Sequence, residues 1–227
     1  MKFDCYIFDL DGTLLDLGNI GVYADQILFE TLKKLRVKII PNKTKRRELW
    51  FSGGNFQPIL KKWGVRESKD FWKCYDKTDF EKRKILLANN QLSLYKDVRN
   101  LLEQIYNHKE NKKLAICTNT ADYIVDYFLK HFKIIKYFHD IYSMGGTNQE
   151  FAKPSPKGIF TILEKFKIKS QKNNAIMIGD SINDIKAAQA ANITSCLISH
   201  LHRNKKFEKW GVQPDYVISS LFDLIDL

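Results

Sequence analysis

The sequence predicts an α/β fold in which a doubly wound parallel sheet carries a second, all-helical domain inserted after its first strand. Two observations predict it. From residue 94 onward, short and nearly continuous apolar runs alternate with stretches of helical periodicity, as expected for parallel strands covered on both faces. Between the first apolar run and these later ones, residues 15–91 repeat apolar positions at helical spacing. We therefore assign 1–14 and 92–227 to the α/β core and 15–91 to the helical domain.

The predicted elements follow from this periodicity in chain order. A first strand at 3–8 ends at Asp9, and connecting segments at 14–18 and 87–93 lead into and out of the helical insertion. The remaining elements are helices at 98–106, 122–132, 156–166 and 182–191, and strands at 114–117, 141–143, 175–178, 195–198 and 216–218. A helix between successive strands is the connection that parallel pairing requires.

Composition excludes several classes of protein. The chain has 227 residues, 44% hydrophobic and 28% charged, with 11 glycines and 5 prolines, so it is not collagen-like, of low complexity or wholly disordered. A chain of this length buries enough apolar surface to fold without disulfides or a structural metal. Its four cysteines, Cys5, Cys74, Cys117 and Cys196, form no CxxC pair, and we expect them to be reduced.

Targeting signals and membrane spans are not expected. Acidic residues interrupt the apolar start of the chain, which is untypical of a secretory signal. No run approaches the ~18 apolar residues that a membrane span needs. We expect a cytoplasmic protein without a membrane partner.

The chain is basic, with 37 Lys and Arg residues against 26 Asp and Glu residues and a net charge of +11. The densest block, residues 33–47, holds eight basic residues and no acid. This block is typical of a solvated surface in a lysine-rich protein. The alternative is a surface that attracts anions, including nucleic acid.

Candidate site residues follow the predicted strands. In an open parallel sheet, ligands bind beyond the carboxyl ends of the strands, where the winding order reverses. The residues placed there are Asp9 and Asp11 after the first strand, Thr118 and Asn119 after the second, Lys153 in a later loop, and Asp180 and Asp184 after the strand at 175–178. Several carboxylates sharing a crevice need a cation to offset their repulsion. Oxygen ligands and phosphate chemistry indicate Mg²⁺.

These residue types suit phosphoryl transfer. Asp9 can attack phosphorus and form an aspartyl-phosphate, and Asp11 can protonate the leaving oxygen and later deprotonate water. Thr118 and Asn119 can hold phosphoryl oxygens, and Lys153 can neutralise charge on them and on the nucleophile. Gly12 allows the backbone to turn tightly after Asp11.

Simpler interpretations stand beside these. The DxDG stretch fits a polar turn, Lys153 is one lysine of many, and Asn119 or Thr120 can cap the helix that follows. Asp180 or Ser181 fits a helix N-cap, with Asp184 favourable near the positive end of the helix dipole. The capping and metal-binding interpretations of this last pair are compatible.

Four segments in order, FDLDGTLLD, CTNT, AKPSP and IGDSINDIKAAQAAN, resemble the haloacid dehalogenase-like hydrolase superfamily. The resemblance is to phosphoglycolate phosphatase-like and β-phosphoglucomutase-like members, which have a Rossmann-like core and a helical cap after the first strand. It implies Asp9 as nucleophile and metal ligand, and Asp11 as acid/base with its backbone carbonyl on Mg²⁺. It also implies Thr118 and Lys153 on the phosphoryl group, Asp180 as a metal ligand, and Asp184 at or near the metal. Asn192 departs from the family by replacing a glycine, but Asn also tolerates left-handed C-cap geometry.

We therefore expect a Mg²⁺-dependent phosphatase that hydrolyses a small organic phosphate monoester through an aspartyl-phosphate. The alternatives are a phosphomutase of the β-phosphoglucomutase type, a 2-haloacid dehalogenase, and a basic nucleic-acid-binding protein on a lapsed hydrolase fold. Asp11 argues against dehalogenation, because that reaction has no leaving oxygen to protonate. The expected partner is a small phosphorylated metabolite rather than nucleic acid, and the oligomeric state stays open. The cap candidates for selectivity are Arg46, Arg47, Asn55, Lys61 and the segment 51–55.

Overall fold

The structure is a computed structural model that describes residues 1–108, 110–145, 148–200, 207–208 and 210–227. Its strands are β1 (Cys5–Phe8), β2 (Leu15–Asp16), β3 (Ser93–Leu94), β4 (Lys113–Ala121), β5 (Asp140–Met144), β6 (Ala175–Gly179), β7 (Thr194–Ile198) and β8 (Tyr216–Ile218). Its α-helices are α1 (Ile20–Lys34), α2 (Lys43–Arg47), α3 (Phe56–Lys62), α4 (Ser68–Ala88), α5 (Val98–Tyr106), α6 (Asp122–His131), α7 (Lys157–Phe166) and α8 (Ile182–Ala190). Short 3-10 helices lie at Glu48–Phe51, Ile135–Tyr137, Gln149–Phe151 and Leu221–Ile225.

Six parallel strands form the main sheet in the order β5-β4-β1-β6-β7-β8. The first strand is central: Phe8 is in register with Ile116 of β4 on one side and with Ile178 of β6 on the other. The chain winds outward through β4 and β5, then returns beside β1 and winds the other way. The predicted doubly wound α/β fold is confirmed, and the winding reverses where β1, β4 and β6 end.

The central strand is buried on both faces. Tyr6 and Phe8 pack into the larger apolar cluster on one face, whereas Cys5 and Ile7 pack into a second cluster on the other. Burying each large apolar side chain contributes roughly 1.5–3 kcal/mol. A strand with two buried faces has no polar positions to alternate, which explains the continuous apolar run in the sequence.

Helices α1–α4, called the cap below, pack on their own apolar cluster. Leu28 and Leu32 of α1, Leu60 of α3 and Phe71 of α4 are at its centre. The basic last turn of α1 continues into the block 33–47, where Arg46 is buried against Asp25. The inserted helical domain is confirmed as part of the fold, while its boundaries at 14/15 and 91/92 stay a prediction.

The prediction that 15–91 is entirely helical is wrong at its start. Leu15 and Asp16 form β2, which pairs antiparallel with Ser93 and Leu94 of β3. The two connecting segments therefore run side by side, and their backbone groups satisfy one another. Strands of two residues leave no periodicity in the sequence to detect.

The prediction of Asn119 or Thr120 as a helix N-cap is also wrong. Strand β4 continues to Ala121, which is the N-cap of α6 and offers no side-chain hydrogen bond. The register between β4 and β5 shifts between Cys117 and Ala121, so this part of β4 leaves the regular ladder. The Thr120 hydroxyl donates to Asp11 instead, and is not available for capping.

Two smaller predictions are confirmed. Asn192 has φ +54°, the left-handed geometry expected after α8. The four cysteines are unpaired, with Cys74 half-buried and the others buried.

Across the described ranges, no helix combines the length and apolar composition needed to cross a membrane.

Candidate active site

A cleft of about 230 Å³ lies between the carboxyl ends of the central strands and the cap. The residues of the sheet that line it include Asp9, Asp11, Thr118, Lys153 and Asp180. Parallel strands β1, β4 and β6 end at the same edge, which brings together side chains separated by up to 171 positions in the sequence. The predicted convergence of these residues is observed.

Lys153 is the centre of the site's polar contacts. Its Nζ lies 2.7 Å from Oδ1 of Asp9 and 2.5 Å from Oδ1 of Asp184, and it donates to the Cys117 carbonyl at 2.7 Å. Burial alone would lower the pKa of the Lys153 ammonium, but Asp184 and Asp9 outweigh it and raise that pKa. Lys153 is therefore a fixed positive charge beside the first carboxylate.

Asp9, Asp180 and Asp184 bring their carboxylate oxygens within 4.8 Å of one another. Burial raises the pKa of Asp9 to about 7, with Lys153 opposing the shift and Asp184 adding to it. Burial also raises the pKa of Asp180, reinforced by Asp184 and Asp9. One ammonium does not balance three carboxylates, so the cluster carries excess negative charge when all three are ionised, and without a cation it favours protonation instead.

These residues fit a hard divalent cation. Among the described residues, Asp180 has no hydrogen-bond or ion-pair partner, so its carboxylate is left uncompensated in the cleft. A half-buried carboxylate without a partner is unfavourable, and a cation shared with Asp9 would remove that cost. Clustered carboxylate oxygens are the donors that Mg²⁺ prefers.

Asp184 has two structural roles. It forms a capping box with Ser181 at the start of α8, accepting from the Ser181 backbone N–H at 3.0 Å and from its hydroxyl at 2.5 Å. Its other oxygen accepts from Lys153. Asp184 therefore caps α8, as the sequence predicts, and also contacts Lys153 in the site.

Gly12 allows the ends of β1 and β6 to approach closely. Its φ is +76°, and a Cβ atom there would lie 2.3 Å from Oδ2 of Asp180. The sequence predicts the tight turn, but not this approach to a side chain 168 positions away.

Asp11 lies apart from the three-carboxylate cluster. Arg83 of α4 binds it with both terminal nitrogens, each at 2.6 Å, and Thr120 donates to it at 2.7 Å. Burial would raise the pKa of Asp11, but the Arg83 guanidinium outweighs burial and lowers it. Its carboxylate is thus held by the cap, and a backbone carbonyl on the metal stays a prediction.

Arg83 is a site residue that sequence reasoning missed. It is buried and also donates from Nε to Asp79 at 2.9 Å, and the Tyr23 hydroxyl in turn donates to Asp79. The i, i+4 spacing of Asp79 and Arg83 is visible in the sequence, but it is common on exposed helices. No local signal connects Arg83 to Asp11, because 72 residues separate them.

Thr118 and Asn119 differ in their contacts. Thr118 is buried, lines the cleft and accepts from the Thr120 N–H at 3.3 Å. Asn119 lines the cleft too, but its amide bonds both backbone groups of Lys153, accepting from its N–H at 2.8 Å and donating to its carbonyl at 3.0 Å. Asn119 therefore fixes the Lys153 loop, a contact that the sequence did not predict, and its binding of substrate stays a prediction.

The predicted cap candidates are wrong as lining residues. Arg46 is buried in its ion pair with Asp25, and Arg47, Asn55 and Lys61 are exposed. None of these four lines the cleft within the part of the chain that the structure describes, although Gly53 of the segment 51–55 does. The cap residues that line it are Ile20, Tyr23, Ala24, Leu49, Trp50, Gly53, Phe56, Trp72, Tyr75, Asp76, Asp79 and Arg83. The density of basic residues in the sequence therefore did not identify the face of the cap that lines the cleft.

Comparison with known proteins agrees with this geometry. The haloacid dehalogenase-like hydrolase family model matches residues 6–198. A phosphoglycolate phosphatase of Photobacterium profundum is 30% identical over 230 residues, covering 97% of this chain and 93% of the relative. The pyrophosphatase PpaX of Bacillus mycoides is 25% identical over 228 residues, covering 100% of this chain and 97% of the relative.

Solved structures share the fold. A haloacid dehalogenase-like family hydrolase from Streptococcus pneumoniae superposes with a TM-score of 0.66 at 19% identity, covering 99% of this chain and 98% of that one. YfnB of Bacillus subtilis, solved bound to magnesium, superposes with a TM-score of 0.63 at 21% identity, covering 100% and 98%.

Proposed function

Since the chain belongs to the haloacid dehalogenase-like hydrolase family and is a hydrolase of the phosphatase type, we propose that it hydrolyses a small organic phosphate monoester, with Mg²⁺, through an aspartyl-phosphate on Asp9. The observation that carries this proposal is the placement of Asp9 beside Lys153, within the cluster formed with Asp180 and Asp184. A nucleophilic carboxylate needs a neighbouring positive charge to approach a phosphate dianion.

Asp9 and Asp180 would hold the metal, with Asp184 completing the cluster. When bound, Mg²⁺ supplies positive charge that offsets the carboxylates and the phosphoryl oxygens. YfnB, which shares the fold, is described as bound to magnesium, and this supports Mg²⁺ as the choice of metal.

In the first step, a carboxylate oxygen of Asp9 attacks phosphorus, and the bond from phosphorus to the ester oxygen breaks. Asp11 donates a proton to the departing alkoxide, so the product leaves as an alcohol. Lys153 and Thr118 stabilise charge on the transferring group. Because Arg83 favours the ionised form of Asp11, substrate has to loosen this ion pair before Asp11 can act as the acid.

In the second step, a water molecule attacks phosphorus of the aspartyl-phosphate, and Asp11 accepts its proton. Inorganic phosphate leaves and the Asp9 carboxylate is regenerated. The cap covers the cleft during both steps, which limits premature attack by water, and has to open for product release.

A panel of phosphomonoesters tests the proposal. We expect phosphate release by the wild type with Mg²⁺, at least 10²-fold slower turnover with excess chelator, and background rates for Asp9→Asn. Circular dichroism of Asp9→Asn should match the wild type. Equal rates for wild type and Asp9→Asn on every compound would contradict the proposal.

The identity of the substrate and the identity of the phosphoryl acceptor, water or a sugar hydroxyl, are separate questions. The names of the relatives make phosphoglycolate and pyrophosphate the first compounds to compare in the assay. A phosphomutase would use the same core residues, and incubation with a sugar 1-phosphate separates the two: a mutase forms an isomer without releasing phosphate. We expect phosphate release.

A further inference from the structure

The charges that line the cleft are unevenly matched. Of the described lining residues, five are carboxylates, namely Asp9, Asp11, Asp76, Asp79 and Asp180, and two are cations, Arg83 and Lys153. Both cations are already paired, Arg83 with Asp11 and Asp79, and Lys153 with Asp9 and Asp184. The phosphoryl group of a substrate would meet Lys153 and the metal. Arg83 keeps its contact with Asp79 when substrate loosens its pair with Asp11, so no unpaired cation is left in the described lining for a second anionic group.

Asp76 lines the cleft from the cap side. It lies on α4 three residues before Asp79 and seven before Arg83, which places all three on one face of the helix. Asp76 is half-buried, and it has no hydrogen-bond or ion-pair partner among the described residues. Burial raises its pKa to about 7, with Asp79 and Asp122 adding to the shift. An ionised Asp76 therefore needs a hydrogen-bond donor from whatever occupies the cleft.

Two lysines near Asp76 do not neutralise it. Lys69 and Lys73 line a smaller adjoining cavity with Asp76, but neither lines the main cleft. Both are exposed, and neither forms an ion pair with Asp76. The uncompensated carboxylate is thus a feature of the cleft itself.

The rest of this wall is mainly aromatic and aliphatic. Trp50, Phe56, Trp72 and Tyr75 line the cap side of the cleft, with Trp50 and Tyr75 in edge contact at 5.5 Å between ring centroids. The faces of these rings bind apolar ring and chain surfaces and attract cations, whereas they do not attract anions.

We propose that Asp76 is a specificity residue: the enzyme takes phosphate esters whose alcohol part is neutral or cationic and donates a hydrogen bond to Asp76, and it discriminates against esters with a second anionic group. This inference rests on the proposed function. It predicts that the compounds in the relatives' names are poor substrates of this chain, because phosphoglycolate carries a carboxylate and pyrophosphate a second phosphate. Like charges facing each other in a partly buried site are strongly unfavourable.

Three esters of matched size test it: 2-phosphoglycolate, 2-hydroxyethyl phosphate and 2-aminoethyl phosphate, which end in a carboxylate, a hydroxyl and an ammonium group. At pH 8 with Mg²⁺, we expect kcat/KM for the better of the last two to exceed that for phosphoglycolate by roughly tenfold or more. The comparison between hydroxyl and ammonium identifies which donor Asp76 prefers.

Asp76→Asn should reduce this discrimination by roughly fivefold or more, mainly by improving turnover of phosphoglycolate. Asp70→Asn, on the same helix but exposed, serves as the matched control and should leave the ratio unchanged. Thermal denaturation of both variants checks that they fold.

Two outcomes would overturn the inference, and they differ from failure of the proposed function. A wild-type preference for phosphoglycolate, or an unchanged ratio in Asp76→Asn, refutes the role of Asp76 while leaving a phosphatase. Absence of turnover for all three esters and for p-nitrophenyl phosphate refutes the phosphatase itself, and the inference falls with it.

Discussion

At the scale of single residues, two buried cations each contact two carboxylates of the site. Lys153 contacts Asp9 and Asp184, and Arg83 contacts Asp11 and Asp79. Removing one partner from a buried pair leaves an uncompensated charge, which costs far more than an exposed pair contributes. Single substitutions at these positions are therefore expected to change both protonation and geometry.

Arg83→Met should shift the pH profile of the enzyme upward. The Arg83 guanidinium lowers the pKa of Asp11, so its loss raises that pKa and moves the pH dependence of kcat/KM to higher pH. Arg83→Lys keeps the charge but not the paired hydrogen bonds, and we expect a smaller shift. Steady-state kinetics between pH 5 and 9 measures the effect. An unchanged profile in Arg83→Met would mean that Asp11 is not the titrating acid.

The same pair affects stability in acid. A carboxylate whose pKa is lowered by folding contributes stability above its unfolded value of 3.8, and this contribution is lost as pH falls through the folded value. Arg83→Met lacks this contribution, so the loss of stability caused by the substitution should be larger at pH 7 than at pH 3.

Gly12→Ala should reduce turnover more than Gly18→Ala, although both substitutions strain the backbone equally. Both Gly12 and Gly18 have positive φ, +76° and +71°, so an alanine costs roughly 1–2 kcal/mol of backbone strain at either position. Only at Gly12 would the new Cβ collide with Asp180, since nothing lies within 4 Å at Gly18. We expect Gly12→Ala to lose turnover and Gly18→Ala to keep it, as measured by kinetics and thermal denaturation. Comparable turnover in the two variants would contradict this packing.

At the scale of elements, α4 connects the cap to the core. Its inner face carries Arg83, whereas Phe80 packs against α6, with ring centroids 5.4 Å from Tyr123 and 5.1 Å from Tyr127. Aromatic pairs of this kind contribute roughly 0.5–1.5 kcal/mol each beyond the area they bury. These contacts favour the arrangement in which the cap covers the cleft.

Phe80→Ala should therefore weaken cap closure without touching the site. We expect kcat/KM to fall by roughly tenfold, since one or two such pairs are lost, together with faster amide exchange in α4. Phe51→Ala, at a residue that is 61% exposed, is the matched control and should behave like the wild type. Unchanged exchange and kinetics in Phe80→Ala would show that this contact does not govern closure.

At the scale of the whole molecule, the carboxylates with raised pKa values couple stability to pH and metal. Asp9 and Asp76 titrate near 7 in the folded chain, against 3.8 when unfolded. The folded state therefore retains protons that the unfolded state releases. The metal-free protein loses this contribution to stability as pH rises from 3.8 through about 7, and these two groups cause no further change above that pH.

Magnesium should offset this loss. Because a cation favours ionised carboxylates, the gain in Tm on adding Mg²⁺ should be larger at pH 8 than at pH 6. Asp180→Asn should raise the Tm of the metal-free protein at pH 8 and abolish the gain from Mg²⁺. Differential scanning fluorimetry with Mg²⁺ or chelator measures both effects. An equal Mg²⁺ gain in Asp180→Asn would exclude this residue as a ligand.

The sequence by itself determined the sheet and the core of the site. Strands buried on both faces require continuous apolar runs, and parallel strands bring Asp9, Thr118 and Asp180 to one edge whatever the details of packing. These properties are local in the sequence or follow from topology, so periodicity and motif order suffice to predict them.

Only the tertiary structure decided which cap residues meet the core. The face of α4 that is turned inward buries Asp79 and Arg83, which their charge would assign to solvent. The pairing of Arg83 with Asp11, and the position of Asp76 in the cleft, depend on the angle at which the cap lies on the sheet. That angle results from contacts between residues far apart in the chain, so no local pattern encodes it.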